Sequence, residues 1–344
     1  MNSHFLTRRR LVMSTVAACC AHMDLAHSQD YPSRTVKVIV PFPAGGGTDK
    51  ITRVVTERLA QALKQPFVID NRGGASANIG AALVAKSPAD GHTILVGAPN
   101  HTANISLYQN LGYDILVDLV PVTMLAATPL MLVVHPSLGI KDLRQLIDYA
   151  KKNPDKLAYA SNGAGSAPHL AAEMFCQQTG TRMTHIPYRG SAPAVLAALT
   201  GEVQVMFGSV PSVHEFVKVN KLIALGVTSG QRTPLVPEVP TLSAAGLPGY
   251  EMLTWYGFFV PKGTPPEVIR RLYESTHEVL EEAEIRNSFL KQGYERVGNT
   301  PSGIFPFRQA GSGKTRGRHQ GREHQNGIGA WFHCARKAHL QRNS

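Results

Sequence analysis

Pro41-Phe42-Pro43-Ala44-Gly45-Gly46-Gly47-Thr48-Asp49 separates an apolar run, Val36 to Val40, from a segment with helical apolar spacing, Ile51 to Leu63. That order predicts a strand, a glycine turn and a helix start. Glycines adopt positive φ and leave backbone N–H groups uncovered, and the N-terminus of the helix adds unpaired donors and a partial positive charge. The product is an anion cradle. One glycine loop alone decides little, because any tight strand-to-helix turn tolerates glycine. A second loop of the same kind decides more: Ser161-Asn162-Gly163-Ala164-Gly165-Ser166-Ala167-Pro168-His169 lies between a strand at Leu157 to Ala160 and a helix from Pro168 to Thr179. Ser166 reads as its N-cap, with proline just inside.

The same pattern extends outward from both loops. Pro66 to Asp70 reads as a strand, and Asn71-Arg72-Gly73-Gly74-Ala75-Ser76-Ala77-Asn78-Ile79-Gly80 as a small-residue turn opening a helix to about Lys86. Thr93 to Gly97 gives a third strand with a polar exit at Ala98-Pro99-Asn100-His101-Thr102. In open α/β sheets ligands collect at the carboxyl ends of strands, where these loops fall. Val120 to Ala126 and Leu130 to Val134 are apolar runs separated by Ala127-Thr128-Pro129, read as a crossing between two lobes. An amphipathic helix over Lys141 to Asn153 follows. Beyond the second cradle come a strand at Met183 to Ile186, the loop Pro187-Tyr188-Arg189-Gly190-Ser191, a helix from Pro193 to Leu199, and strands at Val203 to Phe207 and Leu222 to Val227. An aromatic strand, Gly249 to Pro261, and one helix from Pro265 to about Lys291 close the body. The expected organisation is α/β, with residues 29–125 as lobe 1, 126–250 as lobe 2 and 251–301 returning to lobe 1.

Composition narrows the function. The 344 residues carry a formal charge of +11, but residues 301–344 hold eight Lys/Arg against one acid and residues 1–30 hold three against two, which leaves the body near +3. A large basic nucleic-acid face is therefore not expected. Residues 1–28 read as an export signal, with Arg8-Arg9-Arg10, an apolar run from Leu11 to Ala21 and Ala26-His27-Ser28 before the cut. The basic region suits general secretion and also approaches the twin-arginine pattern, while soluble release is expected ahead of lipid anchoring at Cys19. In the body Cys176 is the lone cysteine, read as a core residue. Residues 302–344 lose amphipathic spacing. Read one nucleotide later, permissive codons for Gly303 to Gly329 spell an amphipathic helix and a stop, so the tail is read as frameshifted and disordered. Its Gly311-Ser312-Gly313-Lys314-Thr315 mimics a phosphate loop without the first glycine or a preceding strand.

Five spaced motifs carry a family resemblance: Val40 to Asp49, Asn71 to Gly80, Ala89-Asp90-Gly91-His92-Thr93, Pro187-Tyr188-Arg189-Gly190 and Val239-Pro240-Thr241-Leu242. Together they resemble the Bug (TctC-like) receptors, the periplasmic solute-binding proteins of tripartite tricarboxylate transporters, over about residues 30–301. The resemblance implies a two-lobed periplasmic binding protein fold, each lobe a mixed sheet flanked by helices, with the ligand cleft between them. It implies a small carboxylate ligand gripped largely by main-chain amides, membrane permease subunits as partners, no cofactor, and a monomer. Many relatives have a proline at Gly73 or Gly74, and an acid where this chain has Gly208, which argues against a ligand bearing an ammonium group.

The candidate ligand-binding residues are Ala44, Gly45, Gly46, Gly47, Thr48 and Asp49 from the first jaw; Ala75, Ser76, Asn78 and Asn100 from the neighbouring loops; and Ser161, Gly163, Gly165, Ser166, His169 and Arg189 from the second jaw. Asp49 would repel an anion and is expected to cap a helix starting at Ile51. Arg189 either pairs with a distal carboxylate or holds a loop through carbonyls. His169 reads as a structural hydrogen bonder before a ligand contact, and Trp255 and Tyr256 as core or hinge before a stacking platform. The competing class is an α/β enzyme acting on a small anion. Against it stand the missing Gly-x-Ser-x-Gly elbow, His-Glu-x-x-His pair and spaced dinucleotide glycines, and no metal-ligand spacing is found.

Overall fold

The computed structural model describes residues 31–300; the export leader and the basic tail lie outside the described residues. β1 (Val36–Val40), α1 (Gly47–Leu63), β2 (Phe67–Asn71), α2 (Asn78–Ala85), β3 (Thr93–Gly97) and α3 (Pro99–Leu107) form the first α/β run. β4 (Leu119–Val134), α4 (Leu143–Lys152), β5 (Ala158–Ser161), α5 (Ala167–Thr179), β6 (Thr184–Pro187), α6 (Ser191–Thr200), β7 (Val205–Ser209), α7 (Val210–Lys218) and β8 (Ile223–Val227) form the second. The chain then returns through β9 (Leu253–Pro261), α8 (Pro266–Glu281), α9 (Ala283–Lys291) and β10 (Glu295–Arg296).

The strands follow the path β2-β1-β3-β9-β4-β7-β5-β6, with β8 and β10 also paired to β4. β1 runs parallel to β2 and β3, and β5 parallel to β6 and β7. Cover on both faces gives β3 and β7 near-continuous buried runs, whereas the outer strands β2 and β6 stay partly exposed. In β1, Val36, Val38, Ile39 and Val40 are fully buried. Two α/β lobes result, bridged by β4, which pairs with β9 from Leu119 to Pro129 and with β7 and β8 from Leu130 to Val134.

β4 corrects the expected break at Ala127-Thr128-Pro129, since it is one strand of 16 residues. Pro129 stands where β4 changes partners, a place where a missing N–H disturbs the ladder least. The single helix expected from Pro265 to Lys291 is two, because Glu282 takes extended dihedrals, φ −57 and ψ 131. α3 falls on a segment read as a polar strand exit and α7 on one given no element, and both begin at strand ends. Elsewhere local chemistry sets the boundaries: Asp142 caps α4 by accepting from the Gln145 N–H at 2.8 Å.

Each lobe has its own core. In the second, Leu132, Tyr159, Phe175, Phe207 and Tyr250 fill one face of the sheet, and Met131, Ala160, Met206 and Val213 the other. In the first, Ile39, Leu95, Met124, Trp255 and Phe259 pack together. Cys176 is free and packs against the second-lobe core. Among the described residues no helix is long and apolar enough to cross a membrane.

Candidate functional site

The residues that follow β1, β3, β5, β6 and β7 line one cavity of about 850 Å³ between the lobes. The fold thereby aims five helix N-termini at one space. α1 contributes Gly46 and Gly47, α3 Ala98 and Asn100, α5 Ser166 and Ala167, α6 Gly190 and Ser191, and α7 Ser209 and Ser212. First-turn N–H groups have no acceptor within their helix, and each helix end carries partial positive charge. Among the described residues lining the cavity there is no aspartate or glutamate, whereas Lys50, Arg189 and Lys291 line it, all exposed and, among the described residues, in no ion pair. The arrangement selects an anion.

The first jaw is built on Asp49. α1 opens at Gly47 with Gly46 as N-cap, four residues before the expected start at Ile51. Asp49 therefore lies inside the first turn, buried beneath the cavity lining rather than capping from outside. Its carboxylate accepts from the Gly45 N–H at 2.9 Å, from Arg53 at 2.8 and 3.0 Å, and from Asn71 Nδ2 at 3.1 Å. Asp49, in the first turn, thus reaches back past the N-cap Gly46 to the N–H of Gly45. Burial pulls the carboxyl upward, but the bonds from Arg53, Gly45 and Asn71 outweigh it and hold Asp49 below its ordinary value. The acid thus fixes the loop while its charge is compensated from behind. Ala44, Gly45, Gly46, Gly47 and Thr48 line the cavity; Asp49 does not.

Two tyrosines stand over this jaw. A Cβ on Gly47 would lie 2.8 Å from the Tyr294 hydroxyl and 3.6 Å from that of Tyr256, so a larger residue here displaces Tyr294. The Tyr256 and Tyr294 rings meet edge-on at 6.2 Å. Tyr256 belongs to the cavity wall, whereas Trp255 is buried against Phe259.

The loop between β2 and α2 is locked against α3 and does not line the cavity. Asn78 Oδ1 accepts from Asn104 Nδ2 at 2.7 Å and from the Tyr113 hydroxyl at 2.9 Å. Ser76 accepts from Asn104 Nδ2 at its carbonyl, at 2.8 Å, and from the Tyr108 hydroxyl at its Oγ, at 3.0 Å. Ala75, Ser76 and Asn78 are therefore support, one layer behind. Asn100 is different: it is buried, lines the cavity, and its Nδ2 has no partner among the described residues.

The second jaw spends most of its own donors internally. The Gly163 N–H donates to Ser161 Oγ at 3.2 Å, the Gly165 N–H to His169 Nδ1 at 3.0 Å, and the Ser166 N–H to the Gly163 carbonyl at 3.2 Å. Ser161 Oγ also meets His185 Nε2 at 2.6 Å. The His169 and His185 rings stack at 4.0 Å, and Tyr159 stacks on His185 at 4.9 Å. Burial pushes His169 down; burial, then the neighbouring His169, pushes His185 down to about 4. Both rings are neutral props. Ser161, Gly163, Gly165 and His169 thus shape the loop, while Asn162, Ser166, Ala167 and Pro168 face the cavity. Asn162 escaped the sequence reading, yet its Oδ1 is buried without a partner among the described residues. Lys50, Tyr294, Lys291 and the α7 terminus also escaped it, the last three because they come from segments distant in sequence or given no element. Gly208 has a packing cause: a Cβ there would lie 2.4 Å from Val213 Cγ1.

Two α/β lobes bridged by passing strands, with an anion-selecting cleft between them, define a periplasmic binding protein fold, which holds a solute rather than transforming it. This chain belongs to the tripartite tricarboxylate transporter family receptors, TctC, whose family pattern matches residues 51–314. It is 37% identical over 298 residues to protein BugT of Bordetella pertussis, covering 86% of this chain and 91% of that one. Among solved structures it is similar to Rhodopseudomonas palustris Rpa4515 with adipate, at TM-score 0.79 and 34% identity, covering 90% of this chain and 97% of that one. MatC from R. palustris with bound malate gives TM-score 0.74 and 28% identity over 90% and 98% of the two chains, and the periplasmic binding protein BugD gives 0.76 and 31% over 90% and 98%. Family and neighbours are binding proteins, and the enzyme alternative falls.

Proposed function

We propose that this chain is an extracytoplasmic solute receptor that closes on a small organic carboxylate and delivers it, as a monomer, to the permease subunits of a tripartite transporter. The observation that carries the reading is the convergence of five helix N-termini and three unpaired cations on a cavity with no lining carboxylate. Charge-assisted bonds from backbone donors hold a carboxylate without a buried arginine. Adipate and malate, named in the structures of Rpa4515 and MatC, are both organic carboxylates, which supports the class. The contacts fall to Ala44 to Thr48 and Asn100 on one side of the cleft, and to Asn162, Ser166 and Arg189 on the other. Lobe 1 then comprises residues up to 125 with the return segment from 251, and lobe 2 residues 126–250. Export to the periplasm, through the leader, places the receptor where such families work.

Thermal melting of the full chain against a panel of carboxylates tests the reading. A ligand at about 100 times its Kd stabilises by about 2.7 kcal/mol, a rise of roughly 4–5 °C for a chain of this size. A panel in which no carboxylate raises Tm, or in which an organic ammonium ion raises it more, overturns the proposal.

A further inference from the structure

Polarity inside the cleft is segregated, and the segregation describes the solute. At the jaw end, Asn100 Nδ2 and Asn162 Oδ1 are buried with no partner among the described residues, beside the N-termini of α1, α3 and α5. Buried polar atoms left open in this way call for a polar ligand group. Away from their N-terminal ends, α6 and α7 present the opposite. Val195, Leu196, Leu199, Pro211 and Phe216 line the cavity there. On the α7 side the serine side chains are bonded to the loop itself: Ser209 Oγ donates to Ser212 Oγ at 2.9 Å, and Ser212 Oγ to the Ser209 carbonyl at 2.7 Å. His214 Nδ1 meets the Val210 carbonyl at 3.1 Å, and its Nε2 the Glu215 carboxylate at 2.9 Å. Leu196 is 61% exposed on this wall. An exposed large apolar side chain inside a ligand cleft is a contact surface waiting to be covered. The cavity, about 850 Å³, also lies toward the upper part of the ligand-pocket range of about 300–1,000 Å³.

We propose, building on the receptor reading, that the solute is an amphipathic carboxylate: its carboxylate meets the helix N-termini of the jaws, and its ring-sized or branched apolar body lies on the α6–α7 wall. A short hydroxylated diacid would fill the jaw end and leave Leu196, Leu199 and Phe216 in water. An acid with an apolar body removes them from water at the same time as it satisfies the jaws.

Isothermal titration of the full chain with cyclohexanecarboxylate and phenylacetate, against malate and adipate, tests this. The ring acids should bind about tenfold or more tightly than malate. Leu196→Ser, at an exposed position, should weaken the ring acids by about three- to tenfold and leave malate unchanged. Val219→Ser, equally exposed at 61% but outside the cavity, should change neither. If malate or adipate binds more tightly than every ring acid, the inference is overturned while the receptor reading stands. Leu196→Ser weakening all acids alike, or none, overturns it too. If no carboxylate binds at all, the receptor reading itself falls.

Discussion

Asp49→Asn should loosen the first jaw without unfolding its lobe. The wild-type carboxylate accepts from the Gly45 N–H at 2.9 Å, from Arg53 at 2.8 and 3.0 Å, and from Asn71 Nδ2 at 3.1 Å. Asparagine is nearly isosteric but offers one acceptor oxygen, and its amide nitrogen then faces donors. The Arg53 pair contributes little, because its side chain is 55% exposed; exposed i,i+4 pairs are worth about 0.3–0.5 kcal/mol. The Gly45 and Asn71 bonds go to a buried charge, and losing one costs about 1.5–3 kcal/mol. The net expectation is about 2–3 kcal/mol, a fall in Tm of roughly 3–5 °C, with weaker carboxylate binding because Gly45 no longer sets the loop. The pH dependence carries a second signature. The folded carboxyl sits below its ordinary value of 3.8, so its contribution is fully present above that value and is lost as pH falls through the lower folded one. Melting curves from about pH 3 to 7, with a carboxylate titration at neutral pH, measure both effects. A variant that melts within about 1 °C of wild type and binds with unchanged affinity would refute the role assigned to Asp49.

Two further perturbations probe the same cleft. The stacked His169 and His185 are held neutral, His185 with a value near 4, against an ordinary 6.5. The unfolded chain therefore takes up protons first, and stability, complete above about pH 6.5, declines as pH falls toward 4. Glu173 faces His169 and opposes the shift there without reversing it. His185→Phe should keep the stack with Tyr159 and flatten this acid limb in thermal melts; an unaltered limb would remove His185 from the account. Gly47→Ala places a Cβ 2.8 Å from the Tyr294 hydroxyl, so carboxylate affinity should drop by about tenfold or more, and Tyr294→Phe should restore part of it. Wild-type binding by Gly47→Ala alone would show that the tyrosine does not fix the jaw.

The first cradle was legible because two independent signals coincide there, an apolar run at Val36 to Val40 broken only by Lys37 and three consecutive glycines. α7 was not: the stretch before Leu222 was given no element, and its Pro211 is an early helical residue rather than a breaker. β4 was read as two runs for the matching reason, Pro129 inside a strand. The break at Glu282 leaves no mark, because apolar spacing continues across it. In the site, the glycines announced where the backbone is bare but not which N–H groups remain available. Those of Gly163 and Gly165 are bound by Ser161 and His169, partners that local sequence does not single out. Tyr294 and Lys291 reach the cleft only through the return of the chain, a long-range event with no local pattern.

The position of β9 has a consequence for how the molecule comes into being. It lies between β3 and β4, although more than a hundred residues separate it from either. The strands of the second lobe, β4 to β8, all occur between Leu119 and Val227, and can pair as soon as that span is complete. The first lobe cannot close its sheet until Leu253–Pro261 arrives to join β3 to β4. Assembly thus runs against the order of synthesis, with the N-terminal half waiting for a late segment. A chain interrupted before β9 keeps two apolar strand edges open at the centre of the sheet, the exposed pairing surface that drives self-association.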